Sequence, residues 1–336
     1  MGMFSKELGI DLGTMFTRIA EDGVVILEEP SVVSVDIDRQ IMVALGREAQ
    51  GMIGRVDAEQ MQVTRILQHG VVAFYEYTEK FLEALVKRIG GGMGFLRMRP
   101  NLMITHPFGI TSVERRAVQE AALSVGDARL VPQPVAAALG VDLPIGTPSG
   151  NMIVLLGAGA SQAAVIAMHT IVSGETLRIG GLDLDEAIVT YVRRKYGLII
   201  GLPTAEQVKL RIGAAIPLDE ELSIDIQGQD QVSGLPKPLT LTTGEIVEAV
   251  EDTLDQIFET VRRVLEKTQP ELASDIIDRG IALCGGAALL RGMDKLMTQN
   301  LGVPVYLVDN PLSCVAEGAC RAHGMYDLLN RNLPQI

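Results

Sequence analysis

The sequence predicts an α/β protein with mixed sheets, built from two related halves. Residues 152–168 read as a strand, a turn of small residues and a second strand. An earlier copy of this pattern lies at residues 8–20, with Gly13 and Thr14 in its turn. Strands and helices alternate after each hairpin, which is typical of an α/β fold. The two hairpins therefore predict two related domains that face one cleft.

In the first half, short β-type runs bounded by glycine and proline predict strands, while apolar faces and one capping box predict helices. Thr111 and Glu114 form a capping box, which begins a helix that should end at Gly126. The predicted strands are residues 8–12, 17–20, 23–28, 31–36, 101–106 and 128–131. The predicted helices are residues 46–52, 76–89, 112–125 and 134–140, while most of residues 37–70 shows a mixed pattern.

The second half repeats this logic. Thr242 and Glu245 form another capping box, which begins a long amphipathic helix that Pro270 should end. Residues 284–288 form a glycine turn that should lead into a helix from Leu289. The remaining predicted strands are residues 171–178, 222–227, 280–283 and 303–307, with a hairpin at 228–243. The remaining predicted helices are residues 184–196, 205–215 and 314–328.

Composition excludes several classes of protein. A chain of 336 residues is long enough for two domains with good cores, because single cores rarely exceed ~250–300 residues. The net charge of −13 argues against a nucleic-acid partner, which would require a basic surface. Three cysteines without CxxC spacing favour a reducing cytosol, and scattered histidines do not predict a metal site. We expect neither a signal peptide nor a membrane-spanning segment.

Three glycine turns, each at the end of a predicted strand, are the candidate chemistry of the chain. They are Gly13-Thr14, Gly157-Ala158-Gly159 and Gly285-Gly286. Small residues let a ligand approach the backbone, and successive N–H groups can bind an anion. Each turn alone is more typical of an ordinary tight turn in a sheet. Together they predict that two hairpins hold a polyphosphate, although neither a Walker motif nor a GxGxxG motif is present.

Eight short strings point to a known family. They are IDLGT (residues 10–14), EEPSVV (28–33), VERRAV (113–118), GLDLDEAI (181–188), TAEQVKLRIG (204–213), PELASDI (270–276), GGAALLRG (285–292) and DNPLSCVAEG (309–318). With these strings the chain resembles the actin-like ATPases, and within them the bacterial MreB cell-shape proteins, over essentially its whole length.

The resemblance implies an actin-like fold. Two lobes, each with a mixed-sheet α/β core and a smaller subdomain, would surround a nucleotide cleft. Subdomain IA would comprise residues 1–31, 65–147 and 316–336, and IB residues 32–64; IIA would comprise 148–182 and 244–315, and IIB 183–243. The family also implies binding of ATP or ADP with Mg²⁺, and polymerisation into filaments at the inner face of the cytoplasmic membrane.

Residue by residue, the resemblance implies a set of nucleotide-binding positions. In chain order they are Asp11, Gly13, Thr14, Arg18, Gly157, Gly159, Ser161, Gly181, Glu206, Lys209, Gly285 and Gly286. Asp11 begins the first phosphate loop, and Arg18 would face a phosphate. Glu206 and Lys209 match the pair that borders the ribose and base. They are also three residues apart, so a weak surface ion pair is the alternative for them.

The departures from the family concern its chemistry. Where the family has an Asp that holds the water shell of magnesium, this chain has Leu155, which offers no oxygen. Asp11 is then the remaining candidate for the metal, through water, with Asp183 as a second acid. The family's water-activating Glu is replaced by Gln133, which can still position water as a Gln does in actin. We therefore expect ATP hydrolysis to be weak or lost.

A membrane contact is expected from residues 90–99, a glycine-rich segment in which Phe95 and Leu96 lie among arginines. It matches the membrane loop of MreB proteins, and apolar side chains beside Arg suit an anionic bilayer surface. The alternative is that both side chains pack on the core.

Three functional hypotheses remain open at this point. The first is a filament-forming cytoskeletal protein, with itself or another MreB and the cell-shape machinery as partners, and with little ATP hydrolysis. The second is an active ATPase that uses Asp11 and Gln133. The third is a regulator of another MreB that does not polymerise.

Overall fold

The structure, a computed structural model, describes residues 6–90 and 99–332 of the chain. Its strands are β1 Glu7–Leu12, β2 Phe16–Glu21, β3 Val24–Pro30, β4 Val32–Asp36, β5 Ile41–Leu45, β6 Met61–Arg65, β7 Leu67–Gln68, β8 Val71–Val72, β9 Asn101–His106, β10 Asp127–Pro132, β11 Asn151–Leu156, β12 Ser161–Ala167, β13 Thr170–Leu177, β14 Leu198–Ile199, β15 Ser223–Asp230, β16 Pro236–Thr242, β17 Ile281–Cys284 and β18 Val305–Leu307.

The α-helices alternate with these strands. They are α1 Arg47–Gln50, α2 Tyr75–Gly90, α3 Ser112–Leu123, α4 Gln133–Gly140, α5 Gly181–Tyr196, α6 Leu202–Ile212, α7 Thr243–Glu266, α8 Pro270–Arg279, α9 Met293–Leu301, α10 Cys314–Ala322 and α11 Tyr326–Asn332. No helix within the described ranges is both long enough and apolar enough to cross a bilayer.

Two five-stranded sheets have the same strand order, which confirms the predicted duplication. Lobe I contains the sheet β3-β2-β1-β9-β10, and lobe II contains the sheet β13-β12-β11-β17-β18. In each sheet the first three strands form an antiparallel meander. The last two strands then run parallel to the central strand. The central strands β1 and β11 lead into the two hairpin turns, so both turns lie at corresponding sheet ends.

Smaller sheets extend from each lobe. The sheet β5-β4-β6 follows the meander of lobe I, and the sheet β14-β15-β16 follows α5 and α6 of lobe II. The strands β5 and β6 lie in the stretch whose sequence pattern was mixed. Alternation there is weak because the two exposed positions of β5, Ile41 and Val43, carry apolar side chains.

An apolar cluster joins the two lobes beneath the cleft. It includes Met103 and Val131 of lobe I, Ile153 and Leu155 of lobe II, and Ala319 of α10. Each lobe also has its own cluster, centred on its sheet. The shared cluster matters for function because it packs the second hairpin, through Ile153 and Leu155, against β9, β10 and α4 of lobe I.

The predicted helices differ from the structure in three places. The expected helix from Leu289 is wrong: a 3-10 turn spans Gly286–Leu289, and α9 begins at Met293 after Gly292. The expected helix over residues 314–328 is interrupted by a 3-10 turn at His323–Met325. The long helix α7 ends before Pro270, as predicted. Pro270 also begins a separate helix, α8, which was not predicted, because proline suits the first turn of a helix.

Candidate functional site

The turns after β1 and β11 lie against each other. A Cβ atom at Gly159 would be 2.6 Å from Oγ1 of Thr14 and 3.1 Å from Cα of His69. The Thr14 hydroxyl also accepts a hydrogen bond from the backbone N–H of Gly70, at 3.0 Å. Residues 69 and 70 therefore lie beside both turns. Only glycine fits at position 159 without movement of one turn, as expected for two phosphate-binding hairpins that face each other.

Asp11 ends in the space between the two lobes. Its side chain is 8% exposed. Its Oδ1 accepts hydrogen bonds from Oγ1 of Thr105 at 3.2 Å and from Nε2 of Gln133 at 3.3 Å. Burial raises the pKa of Asp11, while the charge of Arg18 and the two hydrogen bonds act in the opposite direction. The acid of the first turn is thus a buried group with defined partners.

A chain of amide hydrogen bonds continues from Asp11 across the cleft. Gln133 is the first residue of α4 in lobe I, and its Oε1 accepts a hydrogen bond from Nε2 of Gln162 at 2.6 Å. Gln162 lies on β12 of lobe II, and its Oε1 accepts a hydrogen bond from the backbone N–H of Phe108 at 2.8 Å. The predicted water-positioning residue is therefore already held between the two lobes.

Leu155 lies on β11, directly opposite Gln162 on β12 and Cys284 on β17. It is 6% exposed and packs in the apolar cluster shared by the lobes. Magnesium sites are built from carboxylates, phosphates and water. Of the four side chains Asp11, Gln133, Leu155 and Gln162, one carries a carboxylate. This donor set does not fit a magnesium ion held by the protein, and the described residues contain no cluster of three His, Cys, Asp or Glu side chains.

The second hairpin turn packs on the start of α5. The N–H groups of Gly181 and Leu182 donate to the carbonyls of Gly157 and Ala158, at 2.9 and 2.8 Å. Asp183, the second candidate acid, accepts a hydrogen bond from the N–H of Gly180 at 2.7 Å and so caps α5. Because its N–H already donates to the carbonyl of Gly157, Gly181 packs against the second turn and does not offer that N–H to a ligand.

The expected ribose side of the cleft contains charged groups from both lobes. Lys209 forms an ion pair with Asp185 at 2.7 Å and donates to the carbonyl of Gly181 at 2.6 Å. Burial raises the pKa of Asp185 to about 6, although Lys209 opposes the shift. On β6, Nη1 of Arg65 is buried and has no hydrogen-bond partner among the described residues. Burial lowers the pKa of Arg65, and Glu206 and Asp185 counteract this.

The third turn begins at the end of β17. Gly285 has a φ of +93°, and a Cβ there would clash with the carbonyl of Leu156, so a residue without a side chain is needed. Its N–H donates to the carbonyl of Pro311 at 2.8 Å. Gly286 follows and starts the 3-10 turn. This places the expected adenosine loop directly beside the strand that carries Leu155.

Other expected residues have partners of their own. Arg18 forms an ion pair with Glu28 at 2.7 Å on the neighbouring strand. Ser161 donates to the carbonyl of Ile179 at 2.8 Å. Gly13 has its carbonyl bound by the hydroxyl of Ser31, at 2.6 Å. The expected membrane residues Phe95 and Leu96 lie outside the described residues.

Sequence reasoning missed several groups of this site. The sequence alone assigned no role to Gln162, Thr105 or Arg65. It indicated Asp183 as a second acid, whereas the acid that contacts Lys209 in the structure is Asp185. The one local signal was Asp185 itself, which lies four residues into the string at residues 181–188 and on the same face of α5 as Gly181. The others contact the cleft only through tertiary structure.

The duplicated five-stranded sheets and the facing turns define an actin-like fold. A family model described as MreB/Mbl protein matches residues 5–331. The chain is 41% identical to the cell shape-determining protein MreB of Escherichia coli (strain K12), over 97% of this chain and 96% of that protein. It is 40% identical to the cell shape-determining protein Mbl of Bacillus subtilis (strain 168), over 94% and 95%. The chain belongs to the MreB/Mbl family.

Solved structures agree with this assignment. The crystal structure of MreB5 of Spiroplasma citri bound to ADP has a TM-score of 0.90 and 30% sequence identity, covering 98% of this chain and 99% of that one. The form of MreB5 bound to AMPPNP has a TM-score of 0.91. The actin-like fold expected from the resemblance is confirmed.

Proposed function

We propose that this protein is a nucleotide-binding cytoskeletal protein that forms filaments and helps to organise cell shape or envelope synthesis, with slow or absent ATP hydrolysis. The observation that carries the proposal is the close approach of the two hairpin turns beside an apolar residue. Gly159 lies against Thr14, which supports a shared phosphate site at the two turns, while Leu155 stands where the family has its metal-site acid.

Nucleotide binding is supported by three features of the cleft. The glycines of the turns at Gly13-Thr14 and Gly157–Gly159 let a ligand approach the backbone, and Lys209 supplies a cation near the second turn, where it donates to the carbonyl of Gly181. MreB5 of Spiroplasma citri, a relative in the same family, was crystallised with ADP and with AMPPNP. We therefore propose ATP or ADP as the ligand. The one carboxylate available for the water shell of a magnesium ion is Asp11.

Slow hydrolysis is proposed from the missing acid. Loss of one preorganised electrostatic group typically lowers a rate by about 10²–10³. Leu155 offers no oxygen, and Gln133 cannot act as a general base because an amide does not take up a proton near neutral pH. An active ATPase based on Asp11 and Gln133 stays the second candidate, because the two side chains are within hydrogen-bonding distance.

Filament formation depends on surfaces and not on the metal site, so it can persist without hydrolysis. We propose that the partners are other copies of this chain or another MreB, together with the cell-shape machinery. The proposed location is cytoplasmic, at the inner face of the membrane, with Phe95 and Leu96 as the contact. We also propose the subdomain boundaries expected from the resemblance; the small sheets β5-β4-β6 and β14-β15-β16 support them.

The test combines sedimentation, electron microscopy and phosphate release on the purified protein. We expect filaments above a critical concentration with ATP or AMPPNP, and little phosphate release during assembly. Monomers at every concentration would contradict the proposal, and decoration of another MreB's filaments without self-assembly would favour the regulator. For the membrane contact, the double variant Phe95→Ser, Leu96→Ser should lose co-sedimentation with anionic vesicles and keep filament formation.

A further inference from the structure

We propose that Gln162 is a positioning residue, which fixes the side-chain amide of Gln133 with its N–H₂ directed at Asp11 and its carbonyl directed at lobe II. The proposal concerns the same cleft and rests on the proposed nucleotide site for its functional consequence. It changes the expected role of Gln133, since the amide is held as a donor toward the acid of the first turn.

The orientation of both amides follows from one fixed donor. The backbone N–H of Phe108 can only donate, so the side-chain atom of Gln162 at 2.8 Å must be Oε1. Nε2 of Gln162 then faces Gln133, and its partner at 2.6 Å must be the acceptor Oε1. Nε2 of Gln133 therefore points to Oδ1 of Asp11, at 3.3 Å. A flip of either amide would place two donors or two acceptors against each other.

Phe108 is a firm anchor for this chain of hydrogen bonds. Its carbonyl accepts a hydrogen bond from Oγ1 of Thr176, at 2.6 Å. Gln162 and Thr176 are direct partners on β12 and β13, so two neighbouring side chains of lobe II hold both ends of one residue of lobe I. The ring of Phe108 also lies close to Gly174 on β13, where a Cβ would be 3.0 Å away.

Burial makes the arrangement persistent. Gln133 is 8% exposed and Gln162 is 2% exposed, so water cannot readily replace the partners of either amide. An N–H₂ group beside Asp11 places partial positive charge where the carboxylate would otherwise repel a phosphate. Gln162 would thus favour anion binding through Gln133 without touching the ligand.

The test is a double-mutant cycle on ADP affinity, with Gln133→Met and Gln162→Met as variants of similar size. Each single variant removes the two hydrogen bonds of its side-chain amide and should weaken ADP binding by about five- to tenfold. If Gln162 acts through Gln133, the double variant should bind no more weakly than either single variant. Gln256→Met, the same substitution at an exposed residue of α7, is the matched control and should keep the affinity within about twofold.

Two results would overturn the proposal. One is an unchanged affinity in Gln162→Met; the other is a double variant whose loss is the product of the two single losses. If the wild type binds no nucleotide, the proposed function fails. Hydrogen exchange of the Gln133 side-chain amide protons in the free protein then tests whether Gln162 holds that amide. That exchange should be at least about tenfold faster in Gln162→Met than in the wild type or in Gln256→Met, and equal rates would refute the proposal.

Discussion

The substitution Gly159→Ala tests most directly whether the two hairpin turns act as one site. The added Cβ would lie 2.6 Å from Oγ1 and 2.9 Å from Cγ2 of Thr14, and 3.1 Å from Cα of His69. Thr14 cannot simply rotate away, because its hydroxyl holds the N–H of Gly70. The contact at His69 is backbone. One turn must therefore move by about 1 Å to restore ordinary contacts of about 3.5–4 Å.

The expected cost follows from this overlap. Overpacking of this kind typically destabilises a protein by about 1–3 kcal/mol. With an unfolding entropy near 2.1 cal/mol/K for each residue, this corresponds to a fall in Tm of about 1.5–4 °C for a chain of this length. A 1 Å displacement of one phosphate turn should weaken ADP binding by at least about tenfold.

The assay is calorimetric unfolding together with ADP titration, and Gly181→Ala is the matched control for stability. A Cβ at Gly181 would meet its neighbours at 3.6–3.7 Å, which is ordinary contact. Its Tm should stay within about 1 °C of the wild type. If Gly159→Ala behaves like this control and keeps its affinity for ADP, the two turns do not form a shared site.

Three further predictions concern charge in the cleft. Leu155→Asp should raise magnesium-dependent phosphate release at least about tenfold over the neutral variant Leu155→Asn, and equal rates would exclude Leu155 as the cause. Lys209→Met should weaken ADP binding by about tenfold, whereas Lys195→Met on the outer face of α5 should not, as titration would show. The raised pKa of Asp185, about 6, favours the folded state below about pH 4, and this contribution is lost as the pH rises through 6. Between about pH 4 and pH 6 the wild type should therefore lose up to about 3 kcal/mol of folding stability relative to Asp185→Asn. Its Tm should fall accordingly, and Tm curves of the two proteins that stay parallel over this range would refute the prediction.

The hairpins and caps were predictable because their signals are local. Short apolar runs on either side of glycine turns predict β1, β2, β11 and β12 nearly to their ends. The capping boxes at Thr111 and Thr242 begin helices where expected. Helix α8 was missed because Pro270 reads as a helix terminator, although proline also suits the first turn of a new helix. Whether a proline ends one helix or begins the next depends on packing that a local pattern does not contain.

The site was predictable where its residues lie in turns and not where they meet across the cleft. Asp11, Gly159 and Gly285 stand at strand ends, which the pattern of the sequence locates. Gln162 lies within an apolar strand, and its contact with Gln133 forms only when the lobes pack together. Arg65 likewise acts on Glu206 and Asp185 from the other lobe.

Titration of the wild-type protein with ATP, once with magnesium and once with EDTA, tests the central claim most directly. Because the two turns face each other while Leu155 offers no oxygen to a metal, we predict that ATP binds and that its affinity differs by less than about threefold between the two conditions. Absence of binding in both conditions would contradict the claim that the cleft is retained. An affinity that falls by about a hundredfold or more in EDTA would contradict the claim that the protein no longer holds the metal.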